Sequence, residues 1–185
     1  RIISGFKMLS QLGFSKSITE IKDITDHSTP IGYSLSGIVL SVGEGVNEFE
    51  IGDYVAAAGA GLANHAEYVN VPKNLVVKCP DGIDMKSAST VTLGAISMHG
   101  VRRSELSIGD YCAVFGTGIL GLISIQILSK MGIRVIAVDI DDRRLEIAQK
   151  LGAEVVVNSS KEDPVKSALF FTNNHGVDSV LFSAN

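Results

Sequence analysis

Cys112-Ala113-Val114-Phe115-Gly116-Thr117-Gly118-Ile119-Leu120-Gly121 is the stretch on which the reading of this chain turns. An apolar, strand-like run enters a glycine-spaced turn, and Leu122–Leu128 continues as an apolar segment that reads as a buried helix. Each glycine has a mechanical reason. Gly116 permits the sharp turn out of the strand. Gly118 lets the backbone approach a pyrophosphate with no Cβ in the way, and Gly121 lets the helix pack closely on the strand. Amides at the helix start, helped by the positive end of its dipole, would then hold phosphates. The segment read as cofactor-binding is therefore Gly116, Thr117, Gly118, Ile119, Leu120 and Gly121. A glycine-rich strand-to-helix turn without any ligand carries the same pattern, so the context has to decide.

A second strand-like run, Arg134–Val138, ends at Asp139, 18 residues beyond Gly121. That is where a carboxylate meets the adenosine ribose of a bound dinucleotide. Capping of the helix over Asp141–Leu151 is the competing role for Asp139, and Asp142 could serve there too. With glycine loop and acid in register, the expected cofactor is NAD. A 2′-phosphate about 4 Å from Asp139 would be repelled by on the order of 4 kcal/mol at intermediate dielectric, which makes NADP the less favoured partner. Arg143 and Arg144 complicate this, since an arginine there can accept a 2′-phosphate. Arg144 is read as a partner for the ribose or adenine side, or equally as a solvated helix-face charge.

Outward from the loop, strands and helices alternate. Strands are expected at Tyr111–Phe115, Arg134–Val138, Glu154–Val157 and Val177–Phe182. Helices are expected at Ile119–Met131, Asp141–Leu151 and Pro164–Phe171. The alternation predicts right-handed βαβ units and a doubly wound parallel sheet in the order 3-2-1-4. Upstream, Ser87–Arg103 reads as a helix interrupted at Gly94. Before that lie short strands at Ser36–Val42, Tyr54–Ala57, Ala66–Val71 and Leu75–Lys78, separated by glycine and proline turns, which suggest a small barrel-like β unit. Arg1 to Asp26 reads as two short helices, broken at Gly5 and Gly13. The expected division is an N-terminal helical segment (1–29), a β-rich unit (30–86) and the α/β domain (87–185).

The bulk properties narrow the class. The chain has 185 residues, 45% hydrophobic, with a net charge of −4. No basic surface for nucleic acid or anionic membrane is expected, and no apolar run is long enough to span a bilayer. Cys79 and Cys112 both lie in apolar runs and read as small core hydrophobes. A reduced, cytoplasmic setting is expected.

The order of elements resembles the medium-chain dehydrogenase/reductase superfamily, the alcohol-dehydrogenase-like enzymes. The resemblance rests on GYSLSGIVLSVGEGV (32–46), FEIGDYV (49–55), HAEYVNVP (65–72), the Ala88–Gly100 helix, the glycine loop and LGA (151–153). It implies a partial GroES-like β-barrel unit followed by a Rossmann domain truncated after its fourth strand. The segments PIGYS (30–34) and AGAGLANHAEY (58–68) look closer to bacterial bi-domain oxidoreductases that lack zinc. That subgroup implies a fused C-terminal oxidoreductase half and a sugar or sugar-nucleotide substrate in polysaccharide biosynthesis. The zinc members carry Gly-His-Glu where this chain has Gly32-Tyr33-Ser34, and a further ligand would align near Thr92. Tyrosine and threonine are not usual zinc ligands, so neither catalytic nor structural zinc is expected. Candidate catalytic residues are then Tyr33, Ser34, Thr92 and His99, with His65 as a further donor. Structural roles compete at Tyr33 and at both histidines, and His27 and His175 read as surface loop residues.

Two readings from other classes stand beside an NAD-linked oxidoreductase. One is a non-catalytic dinucleotide-binding or redox-sensing module, motivated by loss of the zinc motif. The other is a methyltransferase-like nucleoside binder, disfavoured by the β unit and the Leu151–Ala153 turn. Truncation after the fourth strand implies an exposed edge at Val177–Phe182, self-association or a homo-oligomer through it, weak NAD binding and no dehydrogenase activity of this piece alone.

Overall fold

A computed structural model describes residues 30–184. The expected helices within residues 1–29, and His27, lie outside the described residues. The β-rich part contains β1 (Ser34–Ile38), β2 (Tyr54–Ala58) and β3 (Val76–Lys78), in the order β1-β2-β3 and antiparallel throughout. One 3-10 turn, Lys73–Leu75, precedes β3. The first strand is shorter than its sequence suggests. One ladder pair continues at Val39, whose amide donates to Asp53 O at 3.0 Å. The chain then folds back at Gly43, whose carbonyl accepts from Val46.

Ala66–Val71, expected as a strand, is not one. Its aromatic and β-branched residues favour extended backbone, but a strand also needs a neighbour for its N–H and C=O groups. No described strand pairs with it. Instead it runs along the side of an open cavity of about 610 Å³ that it shares with β1.

Helix α1 (Met85–Ala88) is capped by Asp84, whose carboxylate accepts from Ser87 N at 3.1 Å. Helix α2 (Val91–Arg103) follows. The expected interruption at Gly94 falls instead at Ser89–Thr90. The Ser89 hydroxyl donates back to Lys86 O at 2.7 Å and the Thr90 hydroxyl to Ser87 O at 2.8 Å. These local bonds compete with helix propagation, whereas Gly94 costs the helix only backbone entropy.

From Tyr111 the alternation is as the sequence predicts. It comprises β4 (Tyr111–Phe115), α3 (Ile119–Lys130), β5 (Arg134–Asp139), α4 (Asp142–Lys150), β6 (Val155–Asn158), α5 (Pro164–Phe171) and β7 (Ser179–Phe182). The four strands are parallel in the order β6-β5-β4-β7, which is 3-2-1-4 within this domain. Period-two alternation sends Cys112, Val114, Val135 and Ala137 to one face, against Val101 of α2, Ile125 and Leu128 of α3, and Leu145 of α4. Ala113, Ile136, Val138 and Val157 face the other way, toward Ala168 and Phe171 of α5. Both faces are covered, so the sheet is doubly wound. Fully burying a residue such as Ile125 or Leu128 contributes about 1.5–3 kcal/mol. At the N-terminal ends of the strands, the Arg134 guanidinium donates to Glu154 and to the Tyr111 hydroxyl and stacks 4.8 Å from the Tyr111 and Phe171 rings. The opposite, C-terminal ends carry the glycine loop.

Both cysteines are free thiols. Cys112 is buried in the core, where desolvation pushes its thiol up to about 11. Cys79 is only half-buried, just past β3.

Candidate functional site

The loop after β4 is built as its glycines require. Gly116 has φ +88°, and a Cβ there would sit 2.7 Å from Ala184 N, so the chain leaving β7 walls this side of the loop. A Cβ on Gly121 would drive into the Gly116 carbonyl oxygen. Gly118 differs: nothing lies within 4 Å of where its Cβ would be. It is also the N-cap of α3 with no side-chain acceptor, and the first bond back to the loop is Leu122 N to Gly118 O at 2.9 Å. The amides of Ile119, Leu120 and Gly121 therefore have no acceptor within the helix. Open space over a glycine at an uncapped helix N-terminus is what an anionic group needs.

Asp139 closes β5 beside this loop. Its Oδ2 accepts from Thr117 N at 2.6 Å and from the Thr117 hydroxyl at 2.8 Å. Its Oδ1 accepts from Ile140 N at 2.7 Å and Asp141 N at 3.1 Å. Partial burial works to raise its pKa, but these bonds, those from Thr117 foremost, outweigh it and hold the carboxyl below its ordinary value. Asp139 does not cap α4. Asp141 does, accepting from Arg143 N at 2.9 Å and Arg144 N at 3.4 Å. Arg144 is exposed, and its Nε lies 3.8 Å from Asp141, not against Asp139.

The lowered pKa fixes the sign of an acid effect. A carboxylate with a depressed folded-state pKa contributes stability that is fully present above its unfolded value, about 3.9, and is lost as pH falls through the lower folded value. Asp139→Asn removes that contribution. The gap in melting temperature between wild type and Asp139→Asn should therefore be constant above about pH 5 and shrink as pH drops below 4. Calorimetric melts across pH 3–7 check this, and a gap that widens in acid would contradict it.

Tyr33, Ser34 and Thr92 come together where β1 meets α2. Thr92 N donates to Ser34 Oγ at 3.3 Å, and Thr92 Oγ1 donates to Tyr33 O at 3.4 Å. The Ser34 hydroxyl donates to Ser89 O at 2.6 Å, so it joins β1 to the break between the helices. Tyr33 is exposed, and its hydroxyl bonds to nothing among the described residues. His65 lies beside this group. A Cβ on Gly32, at φ +92°, would collide with its imidazole, and its amide donates to Ile31 O at 2.8 Å. His99 is not gathered with them. It is exposed on α2, two turns and about 10 Å beyond Thr92. His175 is an exposed loop residue, as the sequence suggests. Among the described residues no three His, Cys, Asp or Glu side chains converge.

Two features escaped the sequence reading. The Thr117 hydroxyl is bonded to Asp139, although only the backbone of Thr117 stood out. Ser183 places its hydroxyl 2.7 Å from Gly116 O and 3.1 Å from Phe115 O, where it braces the loop from β7. A hydroxyl residue between two loop glycines was the available signal for the first. The second needed the β4–β7 register.

The family described as "Alcohol dehydrogenase GroES-like domain" matches residues 18–81, and that described as "Zinc-binding dehydrogenase" matches residues 120–185. The chain is 31% identical over 182 residues to (R,R)-butanediol dehydrogenase of Bacillus subtilis, covering 84% of this chain and 52% of that protein. Alcohol dehydrogenase TADH from Thermus sp. ATN1 superposes with a TM-score of 0.77 at 26% identity, over 84% of this chain and 55% of that one. Mycobacterial Rv1454c, solved with NADPH, superposes with a TM-score of 0.73 at 26% identity, over 82% and 49%. The chain spans about half the length of the relatives it matches. A GroES-like unit, a glycine loop and a doubly wound parallel sheet thus occur in the expected order, and the chain belongs to the alcohol-dehydrogenase-like medium-chain dehydrogenase/reductase superfamily.

Proposed function

We propose that this chain forms the dinucleotide-binding part of an NAD(H)-linked oxidoreductase that moves hydride between the cofactor and an alcohol or ketone carbon without zinc. The observation that carries the reading is the open space over Gly118 at the uncapped start of α3, with Asp139 at the end of the next strand. The amides of Ile119, Leu120 and Gly121 would hold the pyrophosphate. Asp139 would face the adenosine ribose, with Arg144 toward the adenine side. Bound nicotinamide supplies or accepts the hydride. Zinc does not fit the donor set at the family's catalytic position, because Tyr33, Ser34 and Thr92 offer no imidazole, thiolate or carboxylate. Ser34 and Thr92 are, moreover, engaged in holding β1 to α2. The exposed Tyr33 hydroxyl, with His65 beside the same corner, would then be the group to pass a proton to or from the substrate oxygen. The likeness of residues 30–34 and 58–68 to bi-domain enzymes points to a sugar or sugar nucleotide as substrate and to a further oxidoreductase half.

The test uses the full-length protein. We expect NADH binding by calorimetry, no stoichiometric zinc by metal analysis, and turnover with a polyol, ketose or sugar nucleotide. Tyr33→Phe should lower kcat by about 10²–10⁴-fold, the range of a lost general acid or base. About one zinc per chain would overturn the zinc-independent mechanism. NADH binding with no turnover on any such substrate would favour a non-catalytic module.

A further inference from the structure

We propose that Thr117 is a positioning residue for cofactor choice, holding the Asp139 carboxylate in one orientation through its hydroxyl; this rests on the dinucleotide reading above. Thr117 is fully buried although it lies in a loop between two glycines. Its amide and its hydroxyl both donate to the same oxygen, Oδ2 of Asp139, at 2.6 and 2.8 Å. Oδ1 is met by the amides of Ile140 and Asp141 at 2.7 and 3.1 Å. An ionised carboxylate has about four acceptor directions, and all four are used.

The chemistry of these donors matters. All four are neutral, so they steady the charge without cancelling it. No cation pairs with Asp139 among the described residues: Arg144 Nε lies 3.8 Å from Asp141, and Lys161 pairs with Asp142 at 2.6 Å. Asp139 thus presents an uncompensated negative charge at a fixed place, and repulsion of a 2′-phosphate depends on that distance. Three of the four donors are backbone amides that any residue supplies. Among the described residues the Thr117 hydroxyl is the only side-chain contribution. Without it Oδ2 keeps one donor, and the terminal torsion of Asp139, intrinsically broad, is held less tightly.

The experiment is calorimetric titration of NADH and NADPH into wild type, Thr117→Val and Thr117→Ser, each first checked for folding by circular dichroism. Thr117→Val should narrow the NADPH-to-NADH ratio of Kd by roughly tenfold, as expected for a lost hydrogen bond to a charged group. Thr117→Ser should restore most of it. If Thr117→Val does not fold, Thr117→Ala carries the same expectation. A valine or alanine variant that loses thermal stability but keeps the wild-type ratio would overturn the proposal and leave Thr117 a packing residue. A wild type that binds neither dinucleotide overturns instead the cofactor reading on which it rests.

Discussion

Gly121→Ala is expected to abolish measurable dinucleotide binding and to lower the melting temperature. The methyl would meet the Gly116 carbonyl oxygen, which is backbone, so no rotamer change relieves the contact. Either α3 slides away from β4 or the loop opens, and each route strains a well-packed core. Overpacking of this kind costs about 3 kcal/mol or more, roughly 6–12 °C for a chain of this length. The amides of Ile119 and Leu120 move with the helix start, so affinity should fall by at least about 100-fold, a figure set by about 3 kcal/mol of lost contacts. Gly118→Ala is the informative companion. Nothing lies within 4 Å of its Cβ position, so that variant should melt with wild type while losing affinity. Paired thermal melts and NADH titrations separate the two. A Gly121→Ala protein with unchanged melting temperature and NADH affinity would refute the packing account.

The second large effect concerns the second phosphate. Wild type should bind NADH at least tenfold more tightly than NADPH, and Asp139→Ser should erode that preference. At about 4 Å and intermediate dielectric the repulsion is on the order of 4 kcal/mol, and exposure to solvent reduces it. Even a third of that value gives a tenfold ratio. A fold of this kind is found with NADPH in mycobacterial Rv1454c, so the likeness alone does not choose. The expected preference rests on this chain's own acid, which is in no ion pair among the described residues. Equal or tighter NADPH binding by the wild type, measured by calorimetry, would end the argument.

The α/β part was legible because its signals are local. Apolar runs switch between strand and helix spacing, and Gly116 to Gly121 mark one turn in register with the acid at Asp139. The β unit was less legible. Ala66–Val71 has the residues of a strand, but pairing is a non-local event, and no described strand lies against it. The break between α1 and α2 was misplaced for a different reason. Gly94 is the conspicuous residue, yet Ser89 and Thr90 stop the helix by bonding back to Lys86 and Ser87. The cap of α4 was hidden among neighbouring acids. Asp139, Asp141 and Asp142 look alike in sequence, and only the backbone direction gives the cap to Asp141. At the candidate catalytic corner, the family resemblance named Tyr33, Ser34 and Thr92, and the three are neighbours in the fold. It offered no distance for His99, which shares a helix with Thr92 and lies two turns away.

The strand order has a consequence for how the chain is made. β4 lies inside the described sheet, between β5 and β7. As the polypeptide leaves the ribosome, β4 gains β5 soon after its own emergence, with only α3 between them. Its other edge waits until α4, β6 and α5 have all been synthesised and β7 follows. Throughout that interval Cys112 to Phe115 offer unpaired backbone groups and an apolar, uncharged side-chain row, the kind of edge that recruits wrong partners. The half-made protein therefore carries an aggregation hazard in the strand that ends as one of the best protected, and β4 loses its open edge when β7 docks.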